Sequence, residues 1–80
     1  MKYIWNGTNA AHIALHDIKP WFAEKIYQTG YATISPSKFP LRYFVEATIR
    51  EKHYRLVFEV VEKDRAIYPV TAFQIKKRII

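Results

Sequence analysis

The spacing of apolar residues changes along the chain, and the change separates helices from strands. Met1 to Trp5 reads as a short strand. Asn6 then stands where a helix over Gly7 to His16 needs its cap, with Ala11, Ala14 and Leu15 at helical spacing. A tight connection around Asp17 to Lys19 leads into a second helix. Pro20 suits its first turn and Gly30 its C-terminal stop. Phe22, Ala23, Ile26 and Tyr27 form the stripe this helix would bury.

Beyond Gly30 the period falls to two. Tyr31 to Ile34 reads as a strand ended by Ser35-Pro36-Ser37. Leu41 to Arg50 alternates, with Tyr43, Val45, Ala47 and Ile49 on one face and Phe44, Glu46, Thr48 and Arg50 on the other. Tyr54 to Val61 alternates again. Ile67 to Phe73 is the last clear strand, and there Pro69 must turn its missing donor away from a ladder or lie at an edge. The tail from Gln74 to Ile80 reads equally as a helix or a frayed end. A turn at Glu51-Lys52 would set Arg50 opposite His53, Thr48 opposite Arg55 and Phe44 opposite Glu59. A register shifted by two would oppose Arg50 to Arg55 and Glu46 to Glu59, pairing like charges, and is disfavoured. The preferred register gathers Glu46, Thr48, Arg50, His53, Arg55 and Glu59 on one sheet face, with the helices on the other.

Eighty residues form one domain. The absence of cysteine excludes a disulfide scaffold and every thiolate metal site. No apolar run approaches the ~18 residues of a membrane span. No basic segment followed by an apolar one opens the chain, so a cytoplasmic location is expected. The net charge is +6, and all five arginines lie from Arg42 onward. Arginine grips phosphate in a planar fork, so the second half is the expected anion-binding surface.

The polar sheet face holds the parts of a metal-independent ribonuclease. Glu46 or Glu59 would take the proton of a ribose 2′-hydroxyl. Arg50 and Arg55 would stabilise the phosphorane, and His53 would protonate the leaving 5′-oxygen. On residue types alone, a solvated face of cross-strand ion pairs such as Glu46 with Arg55 is the commoner arrangement. Phe44 and Phe73 fall on the same face, as a platform for a base or a protein partner. Trp5 and Trp21 are expected as packing anchors. Lys76-Lys77-Arg78 forms a short basic cluster for phosphate or an acidic partner. His12 and His16, four apart, would share a helical face, but no third metal ligand accompanies them. No cofactor is implied.

The pattern Trp5-x-x-x-Asn9-x-x-His12-Ile13-x-x-His16-x-Ile18-x-Pro20, followed by Ala23-Glu24, resembles the opening of BrnT-type toxins. Glu46-Ala47-Thr48, Leu56 to Phe58 and Val70-Thr71-Ala72 fit in order behind it, so the resemblance covers nearly the whole chain. It implies an α+β, RelE-like fold, with two N-terminal helices packed on one face of a mostly antiparallel sheet. It implies a ribonuclease toxin of a type II toxin–antitoxin pair, neutralised by a BrnA-like ribbon-helix-helix antitoxin that carries any contact with DNA. The chain departs from that pattern at Glu46, where the family has glycine. It also departs at Phe73, where the family places an arginine after Thr-Ala. The polar helix that follows in the family is reduced here to a short tail. The loss of a cation at Phe73 keeps a second reading open: a catalytically weak or inactive module that binds an antitoxin or RNA through Phe44, Thr48, Thr71, Phe73 and the basic tail.

Overall fold

Asn6 starts the first helix with an extended backbone, φ −144°. Its side-chain oxygen accepts from the N–H groups of Thr8 (2.9 Å) and Asn9 (3.1 Å). Asn9 answers by accepting from the Asn6 N–H at 2.8 Å, which closes a capping box. The structure, a computed structural model, describes residues 2–30 and 42–76. Within them run β1 (Lys2–Tyr3), α1 (Gly7–Ala14), α2 (Pro20–Thr29), β2 (Tyr43–Ile49), β3 (Lys52–Val61), a 3-10 turn (Glu62–Asp64) and β4 (Ala66–Ile75). The strand expected at Tyr31 to Ile34, with Leu41, Lys77 and Arg78, lies outside the described residues.

The first helix ends at Ala14 rather than His16, because the chain turns there. Asp17 adopts a left-handed conformation, φ 59°. Its N–H reaches the Ala14 carbonyl (3.0 Å), and the Ile18 N–H reaches that of Ile13 (3.2 Å). These are the two bonds of a Schellman motif, and the buried pair Ile13 and Ile18 supplies its hydrophobic contact. The buried residues of α1 are Asn9 and Ile13; Ala11, Ala14 and Leu15 face outward, with Leu15 82% exposed.

The second helix follows the expected stripe. Ala23 and Ile26 are buried, while Phe22 and Tyr27 pack partly buried against the core. Burial, and secondarily the neighbouring Tyr3 phenol, raises the Tyr27 hydroxyl above its ordinary value and keeps it neutral. Gly30 caps this helix, but with φ −69° and ψ 151° any residue could hold its backbone. Crowding is what requires glycine there. A Cβ would overlap Val45 Cγ2 and come within 2.8 Å and 2.9 Å of the Ile26 and Glu46 carbonyl oxygens. Trp5 donates its indole N–H to Glu24 at 2.8 Å, so the end of β1 is tied to α2 as an anchor should be.

The four strands lie in the order β1-β4-β3-β2. β2–β3 and β3–β4 are antiparallel, but β1 runs parallel to β4 through Lys2↔Ala66 and Tyr3↔Ile67. The architecture is therefore α+β with a mixed sheet, where a mostly antiparallel one was expected. The chain between β1 and β4 runs through both helices and the β2–β3 hairpin, a connection long enough to allow the parallel direction. Ile13, Ile18, Ala23 and Ile26 join Val45, Ala47, Ile49, Leu56, Phe58, Ile67 and Ala72 in one buried cluster. β4 extends through Gln74 and Ile75, so the tail begins as strand and not as helix.

Pro69 is buried opposite Phe58, where the β3–β4 register shifts. Its carbonyl accepts from the Asn9 side chain at 2.8 Å. Nitrogen and carbonyl of one strand residue point to the same side, so the missing donor faces Asn9 and not β3.

The β2–β3 register differs from the expected one. Ile49 pairs with Lys52, Thr48 with His53 and Glu46 with Arg55, so Arg50-Glu51 is the turn. Both turn residues have positive φ, 51° and 69°, as a two-residue type I′ turn requires. Neither is the Asn or Gly that marks such turns, which hides the turn in the sequence. Opposite charges face each other in this register, so cross-strand electrostatics favour it. Relief of the left-handed penalty predicts that Glu51→Gly stabilises the fold by about 1 kcal/mol. Thermal unfolding should show a midpoint raised by about 4–8 °C; an unchanged or lowered midpoint would refute a strained turn.

Candidate functional site on the β2–β3–β4 face

Strand pairing sets three rows of side chains across one face. Phe44, Val57 and Thr71 form the first row; Glu46, Arg55 and Phe73 the second; Thr48, His53 and Ile75 the third. Alternation explains the selection. Val45, Ala47, Leu56 and Ala72 enter the core, so their neighbours in each strand must point the other way.

Arg55 is the centre of this face. Its Nε donates to Glu46 Oε2 at 2.8 Å, and its Nη2 contacts the same oxygen. Its guanidinium carbon lies 4.7 Å from the centre of the Phe44 ring, a cation–π distance. Phe73 is its partner on β4. The guanidinium is thus held in one place by a carboxylate and an aromatic ring, with 37% of the arginine side chain still exposed. Both contacts to the carboxylate fall on Oε2.

In the next row, Thr48 Oγ1 lies 2.8 Å from His53 Nδ1. That contact orients the imidazole and leaves Nε2 for exchange with a ligand. Glu46 and His53 are diagonal neighbours on paired strands, so their side chains start about 7–8 Å apart. Arg55, which pairs with Glu46, stands beside both.

The sheet does not bring every expected residue to this place. Arg50 belongs to the turn and is exposed there, not opposite His53. Glu59 pairs with Tyr68 and accepts from Arg42 Nε at 3.0 Å. It lies six residues from His53 along β3, about 20 Å at strand rise, too far to share a phosphate with it. Thr48 faces His53 rather than Arg55, and Phe44 faces Val57 rather than Glu59. Thr71 is half-buried at the far row, and Lys76 is exposed just past β4. His16 is exposed at the end of α1, its ring 5.9 Å from that of Phe73. Among the described residues no three His, Asp or Glu side chains gather as a metal site would, and no helix is long and apolar enough to cross a membrane.

Two contributors escaped the sequence reading. Arg42 was not expected to pair with Glu59, and Trp21, expected as an anchor, is 63% exposed. Alternation in the right register would have found the first. The second had a weaker signal, since Trp21 falls just outside the stripe of Phe22, Ala23 and Ile26.

No family model, no curated protein and no solved structure matches this chain.

Proposed function

We propose that this chain is a metal-independent ribonuclease toxin of the BrnT type, which cuts RNA on the β2–β3–β4 face. The observation that carries the reading is the grouping of Glu46, Arg55 and His53 in adjacent rows of one exposed face. Glu46 Oε1 would take the proton from a ribose 2′-hydroxyl, and the freed 2′-oxygen would attack the adjacent phosphorus. Arg55 would stabilise the extra negative charge of the phosphorane. His53 would protonate the departing 5′-oxygen. Proton and bond counts balance, and the products are a 2′,3′-cyclic phosphate and a 5′-hydroxyl. Glu59, six residues from His53 along the same strand, lies too far away to share a phosphate with it, so this reading assigns the base to Glu46.

The sequence pattern supports the same reading. In the RelE-like arrangement proposed here, the helices cover the core face and leave the charged face free for RNA. Inside a cell, a BrnA-like ribbon-helix-helix antitoxin would neutralise the chain and supply any DNA contact. Phe44 and Phe73, which flank Arg55, favour a second reading in which the same face holds an antitoxin without cutting RNA.

Purified protein incubated with single-stranded RNA in EDTA should release fragments with 2′,3′-cyclic phosphate and 5′-hydroxyl ends. Cleavage that requires a divalent ion, or fragments with 5′-phosphates, would sink the mechanism. A folded chain that forms a stable complex with a ribbon-helix-helix antitoxin and cuts no RNA would establish the second reading.

A further inference from the structure

Trp21 has no place in the catalytic arrangement, yet it is the most exposed aromatic residue on α2, at 63%. Phe22 holds it edge-to-face at 5.6 Å, and Phe22 itself meets Tyr54 at 4.8 Å. The indole is therefore fixed at its base and open to solvent above. Two cavities, of about 370 and 300 Å³, lie beside it and share Trp21, Phe22, Lys52 and Tyr54 in their walls. Lys19 lines the first cavity, and Lys25 and Arg50 line the second. With Lys52 between them, four cations surround one exposed indole. Among the described residues, Asp17 is the single carboxylate in either wall.

The groove meets the catalytic face around the margin of the sheet. Lys52 in the groove and His53 on the face are consecutive in β3 but point to opposite sides, so RNA would pass around that margin rather than across the strand. His16, in the wall of the first cavity, also touches Phe73, the β4 partner of Arg55.

We infer that this groove binds single-stranded RNA flanking the cleaved bond, with one unpaired base stacked on Trp21 and phosphates held by Lys52 and Arg50. Each half of the site matches one half of a nucleotide. Exposed aromatic surface is a platform for any base, and flanking cations track the backbone. An acidic peptide would use the cations but would leave the indole without a partner. The inference rests on the RNA-cutting reading for its substrate class, but binding and cutting are separate readouts.

The test uses a short 2′-O-methyl oligonucleotide, which lacks the attacking hydroxyl and stays intact. Titration should quench tryptophan fluorescence. Trp21→Phe should keep most of the affinity while losing the quenching, and Trp21→Ala should weaken binding about tenfold. Position 21 is exposed in a first helical turn, so alanine leaves the fold standing. Lys52→Ala should lower the slope of log affinity against log salt by about 0.7, one phosphate contact on a single strand. A duplex of the same sequence, whose bases are already stacked, should quench weakly.

Equal affinity for wild type and Trp21→Ala overturns the groove. So does equal quenching by poly-glutamate of matched charge, which would mark an acidic protein surface as the occupant. Cleavage of ordinary RNA alongside unchanged binding in Trp21→Ala rejects the groove and keeps the nuclease. Quenching by the oligonucleotide without any cleavage keeps the groove and rejects the nuclease.

Discussion

Glu46→Gln lowers the rate of RNA cleavage by about 10²–10⁴-fold, the usual worth of a general base, while Glu59→Gln leaves it within about threefold. The contrast follows from distance to His53. Both glutamates point to the same side of the hairpin and both pair with arginine. Only Glu46 stands in the row beside His53. Glutamine keeps the acceptor that Arg55 needs, so the hairpin is undisturbed and the loss reports the missing base. Arg55→Lys keeps the charge but not the fork that contacts Glu46 or the flat surface over Phe44, and cleavage falls with it. Single-turnover cleavage reads all of this. Equal loss in Glu46→Gln and Glu59→Gln would mean that the ion pairs support the face and neither carboxylate is the base.

Asn9→Ala removes about 3–5 kcal/mol of folding stability, a large part of what a chain of this length has. Asn9 is 2% exposed and its amide is fully used. Its Nδ2 donates to the Ile4 carbonyl (3.0 Å) and the Pro69 carbonyl (2.8 Å), and its Oδ1 accepts from the Asn6 N–H (2.8 Å). Alanine strands three backbone groups at once, where β1, α1 and β4 meet. Asn9→Asp is as harmful at neutral pH, although it keeps the acceptor for Asn6, because its carboxylate faces two carbonyl oxygens. Urea unfolding followed by circular dichroism measures both. A loss below about 1 kcal/mol in Asn9→Ala would mean that water replaces the amide and that this junction is not held by it.

The part of the chain that the sequence made legible is the part whose signals are local. Asn6, Pro20 and the Ala23–Ile26 stripe announce helices through caps and periodicity, and both helices form there. The inward positions Val45, Ala47 and Ile49 were equally clear from alternation. Several residues of the Trp5-to-Glu24 pattern turn out to be scaffold. Trp5 bonds Glu24, Asn9 bridges strands, and Ile13 and Ile18 close the turn after α1. What stayed hidden depends on distant partners or on unusual backbone. Parallel pairing of β1 with β4 joins residues at opposite ends of the chain. The turn at Arg50-Glu51 uses left-handed residues that carry no turn signature, so the hairpin register came out two residues away. That offset left the composition of the face almost unchanged, because a shift of two preserves sidedness, but it reassigned every pair. Glu46 met Arg55, the ion pair expected of a solvated face, and Glu59 met Arg42.

Pairing of Tyr3 with Ile67 also governs when the molecule can exist during its synthesis. The first strand emerges from the ribosome early and must wait for β4, more than sixty residues later, before it has a neighbour to bond. At about 5–20 residues per second that wait lasts some seconds. The second and third rows of the face need Phe73 and Ile75 as well, so they too wait for β4. A nascent chain therefore carries an incomplete face until β4 has emerged.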